Sequence, residues 1–176
     1  MKKKLRMILV GSVLMICGSC SEIEETSTAT SVTSTTASGS ITVGSETLSG
    51  TYSTDCTTSN MSTIVALGLA PSDTQAMRWV FVVTGDTSIS DESYTFSDTA
   101  CVTEASYTIQ ESSSVSLGEA SGSNYKVTFT DSKFRQKVSS TAAETFWETL
   151  YSDAGANIDL TVGEEYSATS SSSRYN

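Results

Sequence analysis

The chain has 176 residues, with 10 Lys and Arg against 20 Asp and Glu, no His, four Cys, one Pro and a formal charge of −10. Without His, a Ser or Cys nucleophile lacks its usual base and zinc loses a usual ligand, which speaks against triad hydrolysis and zinc chemistry. The acidic balance repels phosphate backbones, so nucleic acid is not an expected partner.

At the start of the chain, Lys2, Lys3, Lys4 and Arg6 precede an apolar run over 7–16 that only Gly11 and Ser12 interrupt. A positive segment followed by a short apolar one is the pattern of an export signal peptide, and the run falls short of the about 20 residues that a spanning helix needs. A cut after Gly18 and Ser19 removes 1–19, takes Cys17 with it and leaves Cys20 as the new N-terminus. The residues alone also fit an ordinary secreted chain cut nearby. Gly18-Ser19-Cys20 resembles the lipobox of bacterial lipoproteins. That resemblance implies acyl chains such as palmitate on Cys20, and Ser21 after the cysteine implies the outer membrane of the cell envelope. Several acyl chains on one residue make attachment effectively stable, at about 0.8 kcal/mol per buried methylene. After the cut, Arg78, Lys126, Lys133, Arg135, Lys137 and Arg174 face all 20 acids, a formal charge of −14.

Residues 20–46 are dominated by Ser and Thr, as in "TSTATSVTSTTASGS". Such a stretch buries too little apolar surface to fold, and its hydroxyls are able to accept O-glycans. It is expected to be a tether with an r.m.s. span of about 28 Å for about 25 residues. One β domain is expected over 47–166, about 120 residues and large enough for a single core, followed by a polar tail at 167–176.

Within that domain, "MSTIVALGLAPSD" at 61–73 reads as a short helix or a covering loop. The run 79–83 is apolar on both faces, as in a buried central strand. Tyr94 and Phe96, then Tyr107 and Ile109, then Tyr125, Val127 and Phe129 alternate with polar residues and predict strands with one wet face. Thr141 and Glu144 read as a capping box opening a helix over 142–152, with Phe146 and Leu150 on one face and an end near Gly155. Ile158, Leu160 and Val162 predict a last short strand. The sum is a mainly β chain, an antiparallel up-and-down barrel or sandwich with one short helix near its C-terminus. In an exported chain the remaining pair, Cys56 and Cys101, reads as a disulfide. Closing a loop of about 45 residues is worth about 4 kcal/mol in the chain-entropy treatment.

"GTYSTDC" at 50–56, "YTFSDTAC" at 94–101 and "YTI" at 107–109 resemble small exported lipocalin-like, or calycin-like, domains of bacteria. The resemblance implies a barrel open at one end, with an early strand stapled to a later one. Gly50 permits a close backbone approach, and the Tyr52 ring plugs one end while its hydroxyl reaches water or backbone. Tyr52, Trp79, Phe81, Tyr125 and Trp147 are the candidate lining of an apolar pocket. Trp147 is either a lid over it or an exposed contact for a partner.

Chemistry is sparse. Asp91-Glu92 and Glu164-Glu165 are sequence neighbours that point to opposite faces of a strand, and Glu144 with Glu148 reads as a solvated helix face. Asp86, Ser88, Ser90, Asp91 and Glu92 offer hard oxygens but lack the spacing of a calcium loop. The expectation is therefore no catalytic residue, no metal and no cofactor. The chain is read as a membrane-anchored, non-enzymatic protein that binds a small hydrophobic ligand or a surface protein. The alternative is a structural or adhesive cell-surface protein with a fully packed β domain.

Overall fold

The computed structural model describes residues 24–25, 35–121, 124–169 and 173–175. The expected signal peptide, Cys17 and Cys20 lie outside the described residues. In chain order the elements are β1 (Glu24–Glu25), β2 (Ile41–Val43), β3 (Glu46–Leu48), β4 (Thr51–Ser53), α1 (Met61–Ala66), β5 (Ala76–Val83), β6 (Ile89–Phe96), β7 (Glu104–Ser121), β8 (Asn124–Val138), α2 (Thr141–Asp153), β9 (Glu165–Thr169) and β10 (Ser173–Tyr175). The fold is mainly β and antiparallel, as the alternation predicts.

One sheet has the order β1-β4-β5-β6-β7-β8-β10, with β9 also on β8, and β2 and β3 form a separate ribbon. The expected barrel does not close. Closure would need β4 to reach β8, yet the outer edge of β4 carries β1 and that of β8 carries β9 and β10. The edges are occupied by short strands and not by each other.

Register assigns the side chains to two faces. On the first, Ala76, Val80, Val82, Tyr94 and Phe96 form a buried cluster with Cys101, joined by Ala37, Cys56 and Tyr107. On the reverse face, near the β5–β6 turn, Val83, Ile89 and Phe129 bury against Ile41, with Val43 and Leu48 of the ribbon packed around them. At the other end of the same face, Val138 and Leu160 gather beneath α2 against its Ala143, with Trp147 and Tyr151 packed around them.

Several boundaries differ from expectation. Ile41 is only 6% exposed, so the folded unit reaches back into the expected tether, and a boundary at 47 falls inside the ribbon. Residues 35–40 form a strap on the sheet. Ser38 donates through its N–H to Val83 O at 2.9 Å and through Oγ to Thr84 O at 2.6 Å, and Ser40 N–H donates to Asp86 Oδ1 at 3.1 Å. Gly39 sits at φ +68°, where a Cβ would stand 2.7 Å from the Gly85 carbonyl carbon, so both conformation and space demand glycine.

The stretch 61–73 takes the helical alternative in its first half, as α1. For α2 the N-cap is Ser140 and not Thr141. Its Oγ accepts from Ala143 N–H at 3.1 Å, which leaves Glu144 one position too far along for a capping box. The helix ends at Asp153, with Gly155 at φ +80° just beyond, close to the expected stop. The last strand is not built on Ile158, Leu160 and Val162. Leu160 is buried, Val162 is exposed, and Gly163 turns the chain by donating to Val138 O at 2.8 Å. β9 follows instead, reaching into the expected polar tail, with Tyr166 and Ala168 half-buried between exposed neighbours.

Candidate binding surface

Tyr52 and Phe81 are register partners whose ring centroids are 6.3 Å apart, and both pack into the cluster around Ile41, Val83, Ile89 and Phe129. The Tyr52 hydroxyl accepts from Ser49 N–H at 3.2 Å, a backbone contact of the kind expected. Gly50 serves differently. It lies at φ +83° with open space around its Cβ position, so the turn needs its conformation and not a close approach.

Trp79 is half-buried on the same sheet face, one row further from the β5–β6 turn, and its N–H donates to Thr54 Oγ1 at 3.0 Å. Tyr125 lies in β8 opposite Ala120, and its side chain lies outside the described residues. Trp147 rides on α2 at the opposite end. Its Nε1 donates to Ser106 Oγ at 3.2 Å, and its ring meets Tyr151 at 6.1 Å and Phe146 at 5.2 Å. Trp147 is therefore held down on the sheet and is neither a lid over a cup nor a free contact. Tyr52 and Phe81 share one cluster and Trp147 another, so the described candidates do not converge on one cavity. A cleft of about 330 Å³ beside α2 is lined by Glu148, Ser152, Ala156, Asn157, Ile158 and Asp159, none of them a candidate.

Cys56 and Cys101 are bonded, with their Cα atoms 5.9 Å apart across 45 residues, and this staples the segment after β4 to the β6–β7 loop beside Phe96. That loop is also fixed by Asp98. Its carboxylate accepts from the N–H groups of Thr103, of Ala100 at 2.8 Å and of Val102 at 3.2 Å. Hydrogen bonding to the charged form, from Thr103 above all, holds the Asp98 pKa below its ordinary value of 3.8.

The sheet also carries a polar network that the sequence reading missed. Glu92 is 0% exposed and accepts from Ser90 Oγ at 3.1 Å and Tyr94 Oη at 2.5 Å. Thr35 of the strap bonds Ser90 Oγ at 3.2 Å and accepts from Arg135 Nη2 at 3.3 Å. Arg135 Nε donates to Glu111 at 2.9 Å and its Nη1 to Glu165 at 3.3 Å, while the Tyr107 hydroxyl also donates to Glu165. Burial works against the Arg135 charge, but the Glu165 and Glu111 carboxylates outweigh it and hold its pKa above the usual value. Burial, then Glu165, pushes the Tyr107 hydroxyl well upward. The network ties the strap, β6, β7, β8 and β9 together. Its carboxylates are engaged by Arg, Tyr and Ser donors, an arrangement that braces a sheet. One signal was available: Lys133, Arg135 and Lys137 share a β8 face that register sets against Glu111 and Glu165.

The five candidate calcium oxygens do not converge. Asp86 accepts from the strap, Ser88 bonds Thr84 at 3.0 Å, Ser90 and Glu92 belong to the network, and Asp91 points to the opposite face from Glu92. Among the described residues no three Asp, Glu, Cys or His side chains are placed to hold a metal. Glu148 is not simply solvated, since its Oε1 accepts from Leu160 N–H at 2.9 Å and ties α2 to the segment that follows. No protein-family model matches the chain, and no curated protein matches it in sequence.

Proposed function

We propose that the chain is an exported bacterial lipoprotein, cut before Cys20 and held at the outer membrane by acyl chains on that residue. Its β domain acts as a non-enzymatic surface module that meets a macromolecular partner. The observation that carries this reading is the dispersal of the candidate pocket residues. Tyr52 and Phe81 are used in one packed cluster and Trp147 in another. An open sheet with stapled, hydrogen-bonded loops supports a structural or adhesive role better than a ligand-filled lipocalin-like cup, which needs those rings to face one interior.

Two measurements test the two halves of the reading. Titration of the folded domain with an apolar fluorescent probe and with lipids, followed by Trp emission, is expected to be flat. A saturable one-to-one change would restore the small-ligand reading. Metabolic labelling with palmitate is expected to mark the wild-type chain, and Cys20→Ala is expected to lose the label and leave the membrane fraction. Retention of both by the variant would refute the anchor.

A further inference from the structure

α2 is docked both by a small apolar cluster, in which Ala143, Trp147 and Tyr151 pack with Val138 and Leu160, and by a seam of polar contacts. Of its residues only Ala143 is fully buried. The polar atoms of its two inward rings meet hydroxyls and an amide of the sheet. Trp147 Nε1 donates to Ser106 Oγ, which bonds Thr95 Oγ1 at 2.8 Å, and the Tyr151 hydroxyl donates to Gln136 Oε1. Thr108 of β7, two residues along from Ser106, is the register partner of Gln136 of β8. Gln136 is 0% exposed, and both Thr108 Oγ1 and Gln136 Nε2 are buried without a hydrogen-bond partner among the described residues.

A buried polar group without a partner destabilises the state that buries it, and the penalty vanishes once water reaches the group. Here the penalty falls on the docked helix and not on the sheet, whose strands stay paired when the helix leaves. We propose that α2 is a latch, a helix that undocks from the sheet as one unit far more often than the domain unfolds. Undocking hydrates Thr108 and Gln136 and makes the rings of Trp147 and Tyr151 reachable, which gives the surface a second state. Undocking breaks the hydrogen bond from Leu160 N–H to Glu148, and Gly155, at positive φ just past the helix, lies where the chain can turn. This inference does not depend on the lipid anchor.

The test uses two hydroxyls two residues apart on β7 that the latch predicts will act in opposite directions. Hydrogen exchange of the mature chain, read by peptide mass, is expected to show 141–153 exchanging through a local opening, well ahead of β5, β6 and β7. Thr108→Val keeps the shape and removes a buried unpaired hydroxyl, so opening should become about tenfold rarer. Ser106→Ala removes the acceptor of Trp147 Nε1, so opening should become about tenfold more frequent. In both variants exchange of the sheet should be much less affected than that of the helix. Exchange of α2 at the rate of the core strands, or a Thr108→Val helix that opens as often as wild type or more often, would overturn the latch.

Discussion

Near the β5–β6 turn, the ribbon of β2 and β3 lays Ile41, Val43 and Leu48 on Val83, Ile89 and Phe129, while at the far end of the same face α2 lays Trp147 and Tyr151 on Ser106 and Gln136. The first cover is an apolar contact, whereas the second joins a small apolar cluster with Val138 and Leu160 to a seam of hydrogen bonds. Apolar burial is non-directional and tolerates no water, whereas a polar seam makes its bonds in the docked geometry and exchanges them for water on opening. The proposed latch thus sits at the end of the face whose cover is partly polar, and the difference between the two ends lies in which residues meet.

The sharpest way to break this contrast is to empty the apolar end. Phe129→Ala removes a buried ring and should lower unfolding free energy by about 3–5 kcal/mol in urea, with the sheet signal and Trp147 fluorescence lost together. Next in size, Cys101→Ser with Cys56→Ser releases the staple and should cost about 2–4 kcal/mol, seen as a lower midpoint of one cooperative transition. Gly39→Ala forces a side chain into the strap at a positive φ and against Gly85, and a loss of about 1–3 kcal/mol is expected. If that variant unfolds as stably as wild type, the strap is not a fixed part of the domain.

Smaller effects sharpen the helix end. Ser140→Ala removes the N-cap of α2 and should cost about 1 kcal/mol, read in a Trp79→Phe background as earlier loss of the Trp147 signal relative to the sheet. The smallest prediction concerns pH. Because the folded pKa of Asp98 lies below 3.8, its contribution is fully present above that value and disappears as pH falls through the lowered one. Thermal midpoints of wild type and Asp98→Asn should therefore differ at about pH 6 and converge toward about pH 2. A constant gap would mean that the loop does not depend on the charged carboxylate.

The parts of the fold that local pattern controls were legible. The apolar run over 79–83 marks β5 and the alternation at 94–96 marks β6, the lone cysteine pair marks the disulfide, and the apolar spacing around Phe146 marks α2 within a residue or so. What depended on partners far along the chain was not. The Ser/Thr richness of 20–46 conceals Ile41, which has no meaning as a core residue until Val83 and Phe129 are beside it. Arg135 is 24 residues from Glu111 and 30 from Glu165, so their ion pairs exist only once register is set. Barrel closure failed for the same reason, since nothing in a single strand shows what occupies its edge. Of the candidate aromatics, Tyr52 and Phe81 pack in one cluster and Trp147 in another, and two separate covers on one sheet face are not one interior.

β1 bears on a quantity of another kind, the length of chain between the sheet and Cys20, the residue proposed above as the anchor. Glu24 and Glu25 pair with Ser53 and Tyr52, so the sheet is gripped only four residues beyond that cysteine. Four steps of chain reach at most about 15 Å. The much longer Ser- and Thr-rich run between β1 and residue 35 joins two points on the same domain and adds nothing to that reach. Residues inserted between 26 and 34 should leave the standoff unchanged, while the same insertion between 20 and 24 should lengthen it.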